Sequence, residues 1–231
     1  MNGMPAYFES VRQRAAQRWT QLEQDPELAG PWHQLFKQVQ SPRHVVSELL
    51  QNADDAGATE ASVQINDGWF VFSHNGEDFT EEHFGSLCRF GYSNKRALHT
   101  IGFRGIGFKS TFSIGEIVEL HTPSLSVAFD QRRFTEPRWI ESSAQNGTTQ
   151  IRVAIRDQHR KREIEKNLSE WVSSPISLLF FKHIRRMRVG DREIHWGSLG
   201  TGPVAGTEWM ALQSAPDEPF LVVQSEMQEF P

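Results

Sequence analysis

The segment SELLQNADDAG, residues 47–57, constrains this chain more than any other, because two patterns are laid side by side on one helix. Val45, Val46, Leu49, Leu50, Ala53 and Ala56 recur with helical period and mark a face for burial. Glu48, Asn52 and Asp55, spaced by four and then three, line a stripe beside that face. Ser41 and Pro42 are suited to start the helix and Gly57 to stop it. Asp54 and Asp55 fall in the last turn, where negative charge opposes the helix dipole by roughly a few tenths of a kcal/mol and Asp is a poor helix former. Helix stability is being given up for something else. An amide oxygen such as that of Asn52 can ligate a hard cation that keeps its waters, and Glu48 one turn earlier can polarise a water.

Further along comes a glycine cluster, IGFRGIGFKS, at residues 101–110. Gly102, Gly105 and Gly107 let the backbone bend tightly and approach an anion closely. FKSTFS is expected to continue as a helix whose first N–H groups face that anion, with Lys109 adding positive charge. A Walker phosphate loop is excluded: counted from Gly102, Phe108 stands where its lysine belongs, and the preceding SNKRALHT is a polar loop, not an apolar strand. An oxygen-rich stripe suited to magnesium and water, together with a run of N–H groups suited to phosphates, points to a nucleotide.

The surrounding elements read as α+β. AYFESVRQRAAQRWTQLEQ and PWHQLFKQVQ are two helices broken at DPELAGP, read as packing against the main body, with an arm that reaches a second subunit as the alternative. ASVQI and WFVFS form a hairpin through Asn66, Asp67 and Gly68. Thr80 caps a short helix over TEEHFGSLCRF, and EIVELHT, LSVAFD and TQIRVAI have strand character. RDQHRKREIEKNLSEWVSS is a charged helix, and FKHIRRMRVG with DREIHW a second hairpin. That order predicts a two-layer sandwich, a mixed and mostly antiparallel sheet with helices on one face, not a βαβ alternation. The single Cys88 excludes an internal disulfide and fits a reducing cytoplasm. No apolar run reaches the length of a membrane span, and a net charge of -5 gives no overall footprint for nucleic acid, which leaves a local polyanion contact open but unsupported. Lys182, His183, Arg185, Arg186 and Arg188 read as a solvated face. His83, Cys88 and His99 lack zinc-ligand spacing, and no GxSxG serine elbow occurs.

ELLQNADDAGAT and IGFRGIGFKSTFS, in this order, resemble the GHKL nucleotide-binding superfamily of gyrase, the ninety-kilodalton heat-shock chaperones, histidine kinases and MutL, and within it the sacsin-type, chaperone-like branch. The resemblance covers residues 40–155 well and LLFFKHIRRMRV more loosely. It implies the Bergerat α/β sandwich, ATP and magnesium as cofactors, Glu48 as general base, Asn52 as magnesium ligand, and Asp55 and Ala56 on the adenine side. HNGEDF takes the place of the second family box, putting His74, Asn75 and Gly76 at the base. Ser93 to Phe108 would be a mobile lid, with Ser93 and Lys95 at its entry and Gly102, Phe103, Arg104, Gly105, Ile106, Gly107, Phe108 and Lys109 at the phosphates. Gly147 and Thr148 match the last box, whose threonine supports the adenine contact.

One departure concerns the base: His74 replaces an aspartate that accepts a hydrogen bond from the adenine amino group, and neutral histidine accepts through one nitrogen only. Another concerns turnover, because the following domain, which supplies a basic residue to the terminal phosphate in the chaperone, gyrase and MutL branches, would be incomplete here. The chain is expected to comprise an N-terminal helical extension (1–40), an ATP-binding core (41–157) and a C-terminal helix and hairpin beginning a second domain (158–231). The expected function is an ATP-binding and hydrolysing switch, slow as an isolated chain, acting on a second copy or on further domains of a larger protein. The alternative is an interaction module that holds nucleotide without hydrolysis. A histidine kinase is disfavoured, since no helical hairpin carrying a phosphoacceptor histidine precedes the domain.

Overall fold

The computed structural model describes residues 3–25, 27, 42–89, 108–141 and 147–223. At its centre β1 (Glu60–Asn66) and β2 (Trp69–His74) form the expected hairpin. Asp67 and Gly68 turn it with φ of 50° and 80°, the two positive values that a tight hairpin turn of this hand requires. β3 (Ile117–His121), β4 (Ser126–Asp130), β5 (Pro137–Trp139) and β6 (Thr149–Ala154) extend one side, so that β2 is followed by β6, β3, β4 and β5. β7 (Arg186–Val189), β8 (Arg192–Thr201), β9 (Thr207–Leu212) and β10 (Ala215–Val223) extend the other side from β1.

Among the described residues only the β1–β7 pair is parallel. A parallel neighbour needs a long crossover. Here it is α4 (Gln158–Ser173), whose first turn is capped by the Asp157 carboxylate accepting from Arg160 N–H at 2.8 Å. The other helices are α1 (Phe8–Gln24), α2 (Val45–Asp55) and α3 (Glu81–Leu87). Thr80 caps α3 as expected, its hydroxyl accepting from His83 N–H at 3.2 Å. The helix PWHQLFKQVQ lies outside the described residues.

Alternation along the strands sends Val63, Phe70, Phe72, Val118, Leu120, Val127, Phe129, Ile151 and Val153 to one face, where they meet Phe8 and Trp19 of α1, Leu49, Leu50 and Ala53 of α2, Phe84 of α3 and Ile164 of α4. The opposite face carries Ser62, Gln64, Ser73, Glu119, Gln150 and Arg152. The architecture is therefore α+β with a large, mostly antiparallel mixed sheet, in agreement with the element order.

Three details differ from expectation. Pro42–His44 is a 3-10 turn and α2 proper starts after it. FKSTFS is a buried 3-10 helix (Phe108–Ser113), not an α-helix. Its hydroxyls explain the tighter winding, since Thr111 donates to the Phe108 carbonyl and Ser113 to the Ser110 carbonyl, both at 2.6 Å and three residues back. β5, β9 and β10 were not foreseen, and β5 and β10 are the two edges of the sheet. Pro137, Pro216 and Pro219 weaken their strand signal, and an edge is where proline is tolerated.

The two aspartates that end α2 divide their roles. Asp54 is buried, and its carboxylate accepts from Lys182 N–H at 2.9 Å, His183 N–H at 2.6 Å and Ile184 N–H at 2.9 Å. Charge that disfavours the helix is thus spent on three amides leading into β7. Asp54→Ala would strand those amides and is expected to cost about 3 kcal/mol or more in urea unfolding, whereas Gln51→Ala on the same helix should stay within about 0.5 kcal/mol.

Candidate functional site

On α2 the stripe is as the spacing required: Glu48, Asn52 and Asp55 are half-buried along the rim of the buried face. Glu48 has no hydrogen-bond or ion-pair partner among the described residues. The helix packs against the 3-10 helix Phe108–Ser113, so the residues leading out of the glycine cluster lie beside it. Ser93, Lys95, Gly102, Phe103, Arg104, Gly105, Ile106 and Gly107 lie outside the described residues.

Under the C-terminal end of α2 the inner face of the sheet changes character. Successive cross-strand rows are Ile65, Phe70 and Val153, then Val63, Phe72 and Ile151, and finally Ala61, His74 and Thr149. Two rows of large apolar side chains end in a row with two polar groups and one methyl. Side chains paired across antiparallel strands share a side of the sheet, so His74 and Thr149 are neighbours there. Strand parity thus selects Thr149, not Thr148, which precedes the strand and is half-buried. The signal lay in the alternation Thr149, Ile151, Val153, since the member of the TT pair in phase with the apolar residues is the inward one.

The polar groups of this row are incompletely satisfied. His74 Nδ1 accepts the Gly76 N–H at 3.1 Å, and burial pushes the imidazole pKa down to about 4. A neutral ring that accepts at Nδ1 carries its proton on Nε2, and that N–H has no partner among the described residues. The Thr149 hydroxyl is fully buried and also without a partner. Leaving it so costs about 1–3 kcal/mol, a cost shared with Ser124 Oγ and Asn167 Oδ1, which are also buried and unpartnered among the described residues.

Gly76 is required by closeness to α2. A Cβ there would come within 2.8 Å of the Ala56 carbonyl oxygen, which accepts from Glu77 N–H at 2.8 Å. Ala56 therefore holds the HNGEDF turn against the helix end. Asn75 is committed to the start of β1: its Oδ1 accepts from Thr59 and Glu60 N–H at 3.0 Å each, and its Nδ2 donates to Thr59 Oγ1 at 2.9 Å. Lys109 points into the core. It donates to the Arg89 carbonyl at 2.7 Å, lies 5.5 Å from the Phe134 ring centre, and is pushed down to about 8 by burial. Phe108 is buried against Phe129, their ring centres 5.5 Å apart.

Several charged groups elsewhere are paired with one another. Arg186 pairs with Glu60 and Glu193, and Arg188 with Glu193. On the outer sheet face His121 lies between Ser126 Oγ at 3.1 Å and Glu119 Oε2 at 3.3 Å, with Glu119 also held by Arg152. A cleft of about 570 Å³ between α1 and β4–β5 contains Glu9, Arg12, Arg133 and Glu136, which pair with one another. Among the described residues no cluster of three His, Cys, Asp or Glu offers a metal site, and no helix is long and apolar enough to cross a membrane.

No family model matches the chain. It is 36% identical over 178 residues to the DNA mismatch repair protein MutL of Chlorobium chlorochromatii (strain CaD3), a match spanning 68% of this chain and 26% of that protein. Identity to human sacsin is 29% over 116 residues, or 42% of this chain and 2% of sacsin. With the Arabidopsis thaliana protein NO VEIN it is 33% over 93 residues, or 38% of this chain and 3% of that protein. The chain thus corresponds to a small part of each relative's length. These relatives are GHKL-type ATPase-related proteins, and the chain is one of their homologues. Within that class it is a sacsin-type GHKL ATPase-like domain, as the motif wording implied.

Two outcomes follow from the unsatisfied row. Thr149→Val, isosteric and without the hydroxyl, is expected to raise the stability of the ligand-free chain by about 1 kcal/mol in thermal or urea unfolding. His74 is neutral when folded but takes a proton when unfolded between pH 6.5 and about 4. Its contribution is therefore full above pH 6.5 and lost as the pH falls toward 4, by up to about 3 kcal/mol. Urea midpoints at pH 4.5 and 7 should differ less in His74→Gln than in the wild type.

Proposed function

We propose that this chain binds a magnesium-bound purine nucleoside triphosphate, ATP by kinship, between the stripe of α2 and the Ala61, His74 and Thr149 row. The observation that carries this reading is the polar end of the inner sheet face, where the Thr149 hydroxyl is buried without a partner among the described residues beside His74, whose Nδ1 is taken by the Gly76 amide that packs on the end of α2. MutL and sacsin kinship supports an ATP-binding GHKL-type domain. In this reading the sandwich is a Bergerat fold and residues 41–157 are its nucleotide-binding core.

The donor set suits the group. Magnesium prefers one or two protein oxygens with waters and phosphates completing its shell, so a single Asn52 amide oxygen is sufficient and no carboxylate cluster is needed. When bound, the metal neutralises phosphate charge. Asn52 orients it from a rigid helix. In this reading Glu48, half-buried and without a partner among the described residues, takes a proton from the attacking water. Asp55 and Ala56 close the base side where α2 meets Gly76.

Binding would bias a switch. Asp54 ties the end of α2 to the amides entering β7, so a ligand that shifts α2 acts directly on residues 158–231, proposed as the start of a second unit that meets a partner or a second copy. Lys109, with its charge spent in the core, lends nothing to the phosphates, and this favours slow turnover, or nucleotide retention without turnover, by the chain alone.

Calorimetric titration of ATP and ADP with and without magnesium tests the reading. Magnesium-dependent ATP binding is expected, weakened at least about tenfold in a folded Asn52→Ala variant. Glu48→Gln should keep binding while lowering phosphate release about a hundredfold. A folded wild-type chain that takes up no magnesium-ATP rejects the proposal.

A further inference from the structure

His74 stands at the position of an aspartate in the resembling family, and its hydrogen bonding has the opposite sense. A carboxylate only accepts. His74 has its accepting nitrogen closed by the Gly76 N–H at 3.1 Å, so what remains for a ligand is the proton on the other nitrogen. Turning the ring over would set a carbon, Cδ2, against the Gly76 amide and forfeit this hydrogen bond, so the observed orientation, with Nδ1 accepting, is the one that satisfies the amide. Gly76 is itself pinned, since its Cα approaches the Ala56 carbonyl too closely for any side chain. The imidazole is 8% exposed, and its remaining N–H has no partner among the described residues. Beside it the Thr149 hydroxyl, 1% exposed and unpartnered, can accept as well as donate.

Position 6 of a purine distinguishes the two common bases by this very sense: adenine presents an amino donor and guanine an oxygen acceptor. We infer that the site selects its nucleotide through a fixed donor at His74, favouring a 6-oxopurine whose carbonyl accepts from His74 Nε2–H and whose N1–H donates to Thr149 Oγ1. Adenine in the same pose sets donor against donor and meets His74 only by sliding along its edge to a ring nitrogen. Phosphate and magnesium contacts do not depend on the base, so ATP stays a ligand, though the weaker one. This rests on the reading above that the nucleotide base lies against His74.

Inosine triphosphate (ITP) is the clean probe, because it differs from ATP only in the 6-oxo group and the N1 proton. Titrated with magnesium into the wild-type chain, ITP is expected to bind about tenfold more tightly than ATP. His74→Asp, which turns the donor into an acceptor, should invert the preference, and Asn52→Ala should weaken both nucleotides equally. Should His74→Asp fail to fold, His74→Gln, whose amide offers both senses, is expected to bring the two affinities within about twofold. Wild-type binding of ATP as tight as or tighter than ITP overturns the inference while leaving the nucleotide reading intact. Binding of neither nucleotide by the folded wild-type chain overturns both.

Discussion

The Asp54 carboxylate is the joint on which the arrangement depends. α2 has one face in the core and its rim in the candidate site, so its axial position must be fixed at one end. Three charge-assisted hydrogen bonds from the amides of Lys182, His183 and Ile184 do this, and they also start β7 beside β1 in the sheet's parallel pair. A second clamp, the Gly76 approach to Ala56, holds the turn after β2 to the same helix end. Helix, sheet and the segment leading to β7 therefore meet within a few residues of the site.

That convergence sets the polar end of the sheet's inner face close to the end of α2. Apolar rows fill the inner sheet face until Ala61, His74 and Thr149, where a small residue and two polar ones stand under α2. A core built only for stability would place large aliphatic groups there. The buried hydroxyl of Thr149 is a local loss, offset by packing elsewhere, and under the proposed reading it belongs to a surface that receives a polar molecule.

Much of this was legible in the chain because it rests on periodicity. The 3.6-residue repeat of α2 located both its buried face and the rim bearing Glu48, Asn52 and Asp55, and alternation with turn chemistry located β1, β2, β3, β4 and β6. Failures fell where pattern was weak or contacts were distant. The proline-bearing edge strands β5 and β10 carry little alternation, and the 3-10 winding of Phe108–Ser113 follows from hydroxyls returning to nearby carbonyls in a buried setting. Lys109 looked like a phosphate ligand by proximity to the glycines, yet its long side chain reaches back to the Arg89 carbonyl.

Local sequence by itself determined the element types, the apolar face of each element and the kinship of the motifs, since these follow from residue spacing and turn geometry along the chain. Tertiary structure alone decided what each polar group does with its hydrogen bonds. Asp54 and Asp55 are adjacent and chemically identical, and only the position of residues 182–184 makes the first an anchor. Thr148 and Thr149 are likewise indistinguishable until strand pairing sets one beside His74, and the donor sense of His74 exists only because the chain folds back to bring the Gly76 amide to its ring. Hydrogen bonds are short and directional, so their partners are fixed by where the backbone returns in space.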